Sequence, residues 1–335
     1  MLFNISLVRF KCLRQAGFRW LTDRYIGLHF DAYSNQSTFT TDYLSYYDKN
    51  RYMKTYLDCF PCFVDQALRA GRLVTDDEKL IKELIDYVGE SFKDISLESS
   101  PPETGEYIYG KIREITGIDD PYKEIKKSNI REALSLYPEL KKMLDNSKDR
   151  LLTTIRLAIA GNIIDFAFGK KFNLEQDIEK ILKQEFAIFH YKKFRESLDN
   201  ASSILYIGDN AGESVFDRLL IEELGKPVTY VVRGIPIIND VTMEDAVDSG
   251  LDQVAELISS GSTAPGAVLR LCNDEFIERF EKAEMIISKG QGNYEALSNI
   301  EKTVFFLLKA KCKMISKDLG VEQNDIVFYS INAGN

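Results

Sequence analysis

The chain has 335 residues, 44% of them hydrophobic, and a formal net charge of −9. That is enough for two domains or for one large domain under a helical layer, and the negative field argues against nucleic acid or an anionic membrane as partner. The five cysteines (Cys12, Cys59, Cys62, Cys272 and Cys312) are too irregular for a secreted disulfide framework, and no apolar run approaches the ~18 residues of a membrane span, so the expected compartment is the cytoplasm.

Residues 1–52 differ from the rest. Arg9, Lys11, Arg14, Arg19 and Arg24 face a single acid, Asp23, and a polar, tyrosine-rich stretch follows. No signal-peptide core is present. Regular patterning begins at Met53, so residues 1–52 are expected to be a non-native or poorly ordered extension, with Met53 the natural start.

From Cys59 to about Leu198 the pattern is helical nearly throughout, which predicts a helical subdomain over residues 53–200. Leu80, Ile81, Leu84, Ile85 and Val88 recur at i, i+3, i+4 spacing behind the acidic turn at Asp76 and Asp77. Pro101 and Pro102 suit the first turn of another helix, residues 129–144 carry a third stripe, and 150–168 is apolar enough for the middle of a bundle. At Ser202 the period changes. Strands are predicted at 204–207, 228–232, 285–288, 304–308 and 326–329, with helices at 214–224, 243–258 and 276–283 between them. Alternation of this kind implies an α/β domain over 201–335 with a doubly wound, mainly parallel, Rossmann-like sheet.

In such a sheet, ligands bind where the connections leave the carboxyl ends of the strands. Three of those connections are rich in reactive groups: Gly208-Asp-Asn-Ala-Gly-Glu213, Arg233-Gly-Ile-Pro-Ile-Ile-Asn-Asp240 and Ser288-Lys-Gly-Gln-Gly-Asn-Tyr-Glu295. On one edge, Asp209, Asn210 and Asp240 can offer three hard oxygen ligands to a divalent cation, with Lys289 nearby as a positive charge. That set suits hydrolysis of a phosphate ester, because the cation neutralises phosphoryl oxygens and acidifies bound water. Gly208, Gly212, Gly290 and Gly292 let the backbone approach phosphate, and Glu213 and Arg233 belong with the candidate substrate contacts. Taken singly, Asp-Asn after a strand is often a helix cap and a lone lysine is solvated. A rival reading makes 204–213 the nucleotide turn of an S-adenosylmethionine methyltransferase, but a Gly-x-Gly-x-x-Gly fingerprint is missing and Arg233 stands where an acid should hold the ribose. Cys59-Phe-Pro-Cys62 opens an amphipathic helix; it reads as core thiols or as an accessory metal or redox pair, the latter allowing a sensing or binding protein as a further alternative.

With these motifs in place, the chain from about Met53 onward resembles the damage-control phosphatase family, formerly domain of unknown function 89, and within it the archaeal-type subgroup with an N-terminal CxxC. The resemblance rests on DCFPC, DPYKEIK (Asp120 to Lys126), AGNIIDF (Ala160 to Phe166), GDNAGE, RGIPIINDVT and SKGQGNYE in this order. It implies a phosphatase dependent on manganese, cobalt, nickel or magnesium and acting on small phosphorylated metabolites. The family ligands carry over to Asp209, Asn210 and Asp240; Asn162 and Asp165 fall near the site, and Lys289 and Asn293 become phosphate contacts. The sequence carries no signal for an oligomeric state.

Overall fold

In the computed structural model, residues 53–163, 180 and 182–332 are described, all within one compact unit. The expectations for residues 1–52 and for Asp165 lie outside this set. Three helices come first: α1 (Cys59–Val74), α2 (Glu78–Ser91) and α3 (Pro101–Thr116). Asp77 caps α2 by accepting the Lys79 amide, and Ser100 and Glu103 form a reciprocal capping box on α3. Their apolar faces meet around Phe63, Leu84, Val88 and Ile108, and the cluster takes in Ile237 from a distant loop. Burying Ile237 there contributes ~2 kcal/mol to holding that loop against the helical layer. Two longer helices follow, α4 (Lys123–Asp145) and α5 (Arg150–Ile163).

Seven strands then form one sheet among the described residues: β1 (Phe186–Phe189), β2 (Ile204–Ile207), β3 (Val228–Val232), β4 (Glu256–Ser259), β5 (Met285–Lys289), β6 (Val304–Lys309) and β7 (Ile326–Ile331), in the order β1-β7-β6-β5-β2-β3-β4. Every pairing is parallel except β6 with β7. β2 is apolar and buried at each of its positions, as befits a central strand of a parallel sheet. The connecting helices are α6 (Tyr191–Asn200), α7 (Ser214–Leu224), α8 (Met243–Asp248), α9 (Asp274–Lys282), α10 (Gly290–Leu297) and α11 (Lys313–Leu319). α5 packs on α7, and α4 packs on α7 and α8. No described helix is long and apolar enough to cross a membrane.

The mainly parallel α/β architecture agrees with the expectation, with two differences. The stretch read as helical to Leu198 contains β1, and the helix expected over 243–258 stops at Asp248. Gly250 takes a left-handed φ of 75° after that helix and frees the chain to form β4. Both unexpected strands are four-residue edge strands paired on one side only.

Candidate active site

From β2 the chain runs outward through β3 to β4, whereas β5 returns to the other side of β2. The carboxyl ends of β2, β3 and β5 therefore flank the point where the winding reverses, the usual crevice of an open parallel sheet. The loops after β2 and β3 are zipped together there. Asn210 and Asp240 form an antiparallel bridge, the Val241 amide donates to Asp209 O at 2.7 Å, and the Ala211 amide donates to Asn239 O at 2.9 Å. These bonds hold Ile238, a β-branched residue, at a left-handed φ of 45°, a conformation that costs ~1–2 kcal/mol. The loop thereby presents Asp240 beside Asp209 and Asn210, and all three line one cavity of about 400 Å³. Helices α1 and α3, the start of α10 and residues 311–314 complete its wall.

α10 begins against the Asp209 carboxylate. Gly290 has φ 77°, and a Cβ there would overlap the Asp209 carboxylate oxygens, so glycine is required by both conformation and space. Behind the wall, Arg233 donates through Nε to Asp240 Oδ2 at 2.6 Å and through Nη2 to Asn293 Oδ1 at 3.1 Å, with Asp209 Oδ1 at 3.9 Å. Asn293 in turn donates to Gly208 O at 2.9 Å and Lys289 O at 2.7 Å. The Asn210 amide nitrogen donates to Asp209 Oδ2 and Glu213 Oε2, both at 3.2 Å, which fixes the amide plane.

Lys289 stands in a different place from the one expected for a phosphate contact. It is fully buried under the wall, where its ammonium donates to Glu213 Oε1, to Asp217 Oδ1 at 2.6 Å and to Ala158 O at 2.9 Å. Asp217 also accepts the hydroxyls of Tyr206 at 2.7 Å and Tyr230 at 2.9 Å. Glu213, Arg233, Lys289 and Asn293 are all enclosed, and none of them lines the cavity. Gly212 belongs to the turn between β2 and α7, and Asn162 falls in the last turn of α5.

The electrostatics follow from this crowding. Burial, then Glu213 and Asp240, push Asp209 up to about 8 against the opposing pull of Arg233 and Lys311. Burial raises Asp240 also, although Arg233 partly offsets it. Burial disfavours the Lys289 charge, but Asp217 and Glu213 outweigh that and hold the ammonium above its ordinary value. Among the described residues no three His, Cys, Asp or Glu side chains gather as a metal site, and the oxygen donors brought together on the cavity wall are those of Asp209, Asn210 and Asp240. Hard, crowded oxygen donors of this kind suit a divalent cation such as magnesium or manganese.

The cysteines of the CxxC line the cavity wall with Cys312: Cys59 is half-buried and also packs against the hydrophobic cluster of α1–α3, whereas Cys62 is the more open of the two. Burial pushes Cys59 up to about 11 and raises Cys62 and Cys312, so all three stay protonated at neutral pH. Sequence reasoning missed Lys311, Lys313 and Glu295 on the wall. Residues 311–313 follow β6, which runs parallel to β5, so the strand-end rule applied to a fourth strand would have found the two lysines.

With the geometry established, similarity to known proteins can be placed on it. Over 283 residues the chain is 38% identical to an uncharacterized protein of Methanocaldococcus jannaschii, covering 81% of this chain and 93% of that protein. It is 36% identical over 282 residues to a damage-control phosphatase of Pyrococcus horikoshii (82% and 97% covered) and 34% identical over 288 residues to a damage-control phosphatase of Archaeoglobus fulgidus (80% and 96% covered). The crystal structure of a DUF89 family protein from Pyrococcus horikoshii superposes with a TM-score of 0.77 at 34% identity, covering 83% of this chain and 99% of that one. Residues 55–327 match the model of the damage-control phosphatase ARMT1-like domain, and the chain belongs to that family.

Proposed function

We propose that the chain is a metal-dependent phosphatase hydrolysing phosphate monoesters of small, damaged or side-product metabolites. The observation that carries this reading is the cavity wall at the winding reversal, where Asp209, Asn210 and Asp240 converge and burial with the neighbouring carboxylates Glu213 and Asp240 pushes Asp209 up to about 8. Family membership supports it, as do two relatives named damage-control phosphatase. Asp209, Asn210 and Asp240 would hold a divalent cation, which when bound supplies charge neutralisation at phosphoryl oxygens and a more acidic water.

The chain's own residues position and balance the reaction. Arg233 fixes Asp240 through its 2.6 Å bond, and Asn293 fixes Arg233. Lys289 acts by holding Glu213, which orients the Asn210 amide, so its contribution is to the shape of the wall. Lys311 and Lys313, on the cavity, supply the positive charge that meets an entering phosphate. In the net step the ester P–O bond breaks, a water oxygen bonds to phosphorus, and the leaving alcohol takes a proton. Attack by Asp209 first, through an acyl phosphate, differs from direct attack by water in leaving a phosphorylated aspartate that can be trapped.

The test is phosphate release from a panel of sugar phosphates, cofactor-precursor phosphates and nucleotides with manganese, cobalt, nickel or magnesium added. Metal-dependent release is expected. Absence of release from every ester with every metal would refute the reading.

A further inference from the structure

α10 meets Asp209 at Gly290 and carries Gln291 and Glu295 four residues apart, hence on one face. Both line the cavity together with Asp209. Glu295 lies more than one helical turn further along α10 than the glycine that touches Asp209. Glu295 accepts the Gln291 amide nitrogen at 3.0 Å, and no cation pairs with it among the described residues. Gln291 Nε2 also reaches Cys312 Sγ at 3.6 Å, while its Oε1 is buried without a hydrogen-bond partner.

The setting makes such a pair costly. Phe63, Pro101, Pro102 and Met314 supply apolar wall nearby, and the titratable or charged groups that share the cavity are Cys59 and Cys62 from α1, Asp58 before it, Asp209 and Asp240, and Lys311, Cys312 and Lys313. Burial pushes Glu295 up to about 7 and Asp209 up to about 8, whereas the thiols are raised beyond neutrality, so Glu295 changes charge near neutral pH alongside Asp209, and the Glu295→Gln variant separates the two. A carboxyl that accepts one hydrogen bond and a carboxamide with an unpartnered oxygen contribute little to stability where they stand, on the wall of a cavity.

We propose that Glu295, seated by Gln291, is a specificity-determining residue that reads the leaving alcohol of the phosphate ester, favouring alcohols that present a hydroxyl to the α10 side of the cavity. The inference rests on the phosphatase reading and adds to it the chemistry of the leaving group. An ionised Glu295 accepts a hydrogen bond from the substrate hydroxyl, and Gln291 supplies a second polar contact through its open oxygen.

The experiment compares kcat/KM for sorbitol 6-phosphate, which bears hydroxyls, with that for p-nitrophenyl phosphate, whose leaving group has no donor. Wild type, Glu295→Leu and Glu295→Gln are assayed as full chains with manganese. At pH 8 the polyol-to-aryl ratio should fall about tenfold in the leucine variant and about threefold in the glutamine variant, since a charged acceptor binds a hydroxyl more strongly than a neutral one. Between pH 6 and pH 8 the ratio should rise in wild type and stay flat in Glu295→Gln. An unchanged ratio, including one in which both esters lose rate equally, overturns the proposal. Calorimetric binding of sorbitol 6-phosphate separates this from failure of the phosphatase reading. If wild type hydrolyses neither ester but Glu295→Leu binds the polyol about tenfold more weakly, the phosphatase reading falls and the subsite stands; equal binding sinks the subsite.

Discussion

Around Lys126, one buried ammonium is shared by Asp120 at 2.8 Å and Asp245 at 2.7 Å, and Asp245 in turn caps α8 by accepting from Thr242. Around Arg233 and Lys289, four carboxylates (Asp209, Asp240, Glu213 and Asp217) share two cations. Both clusters use the same residue types at similar burial. The difference lies in what each faces: the Lys126 cluster ties α4 to α8, whereas Asp209 and Asp240 open onto a cavity. Burial with Glu213 and Asp240 close by pushes Asp209 up to about 8, so added positive charge is favoured on the cavity side, which the Lys126 cluster lacks.

The most severe way to break the comparison is to remove a wall carboxylate. Asp209→Ala or Asp240→Ala should lower kcat by about three orders of magnitude or more and weaken manganese binding, with circular dichroism unchanged; phosphate release and metal titration check this. Gly290→Ala comes next. The new Cβ displaces the Asp209 carboxylate, and a shift of ~1 Å there should cost about a hundredfold in kcat. The lysines sharpen the contrast through stability. Lys289→Met and Lys126→Met each strand buried carboxylates and should cost roughly 3–5 kcal/mol in urea unfolding, but only the Lys289 change should also loosen Asn210 and reduce metal affinity at temperatures where both variants remain folded.

The smallest expected effect concerns pH. Glu295 holds its proton to about 7 in the folded chain and releases it in the ordinary carboxylate range when unfolded. Its contribution to stability is thus fully present below that range and is lost as pH rises through about 7. Glu295→Gln has no such loss. Its Tm relative to wild type should be higher at pH 8 than at pH 5, and thermal melts at the two values decide it.

Much of the frame was legible in the sequence because local chemistry and tertiary demand agree there. The apolar runs at 204–207, 228–232 and 285–288 became central strands, and α7 ends at Gly225 in the left-handed conformation, as its sequence suggests. β1 and β4 were missed because a four-residue edge strand has few buried positions and takes its identity from a neighbour distant in sequence. Glu295 sits in a quoted motif yet escaped notice, since nothing in Asn-Tyr-Glu shows that the carboxylate enters a cavity lined by thiols from α1.

By itself the sequence determined the alternating α/β order, the family, and the residue types gathered at three strand ends, because periodicity and strand-to-helix turns are local properties. Only the tertiary structure decided which charges neutralise one another. Lys289 and Asp209 both belong to strand-end motifs, but burial turned one inward to Glu213 and Asp217 and left the other facing a cavity. Charge balance in a low-dielectric interior depends on distances across the fold, and spacing along the chain does not encode them.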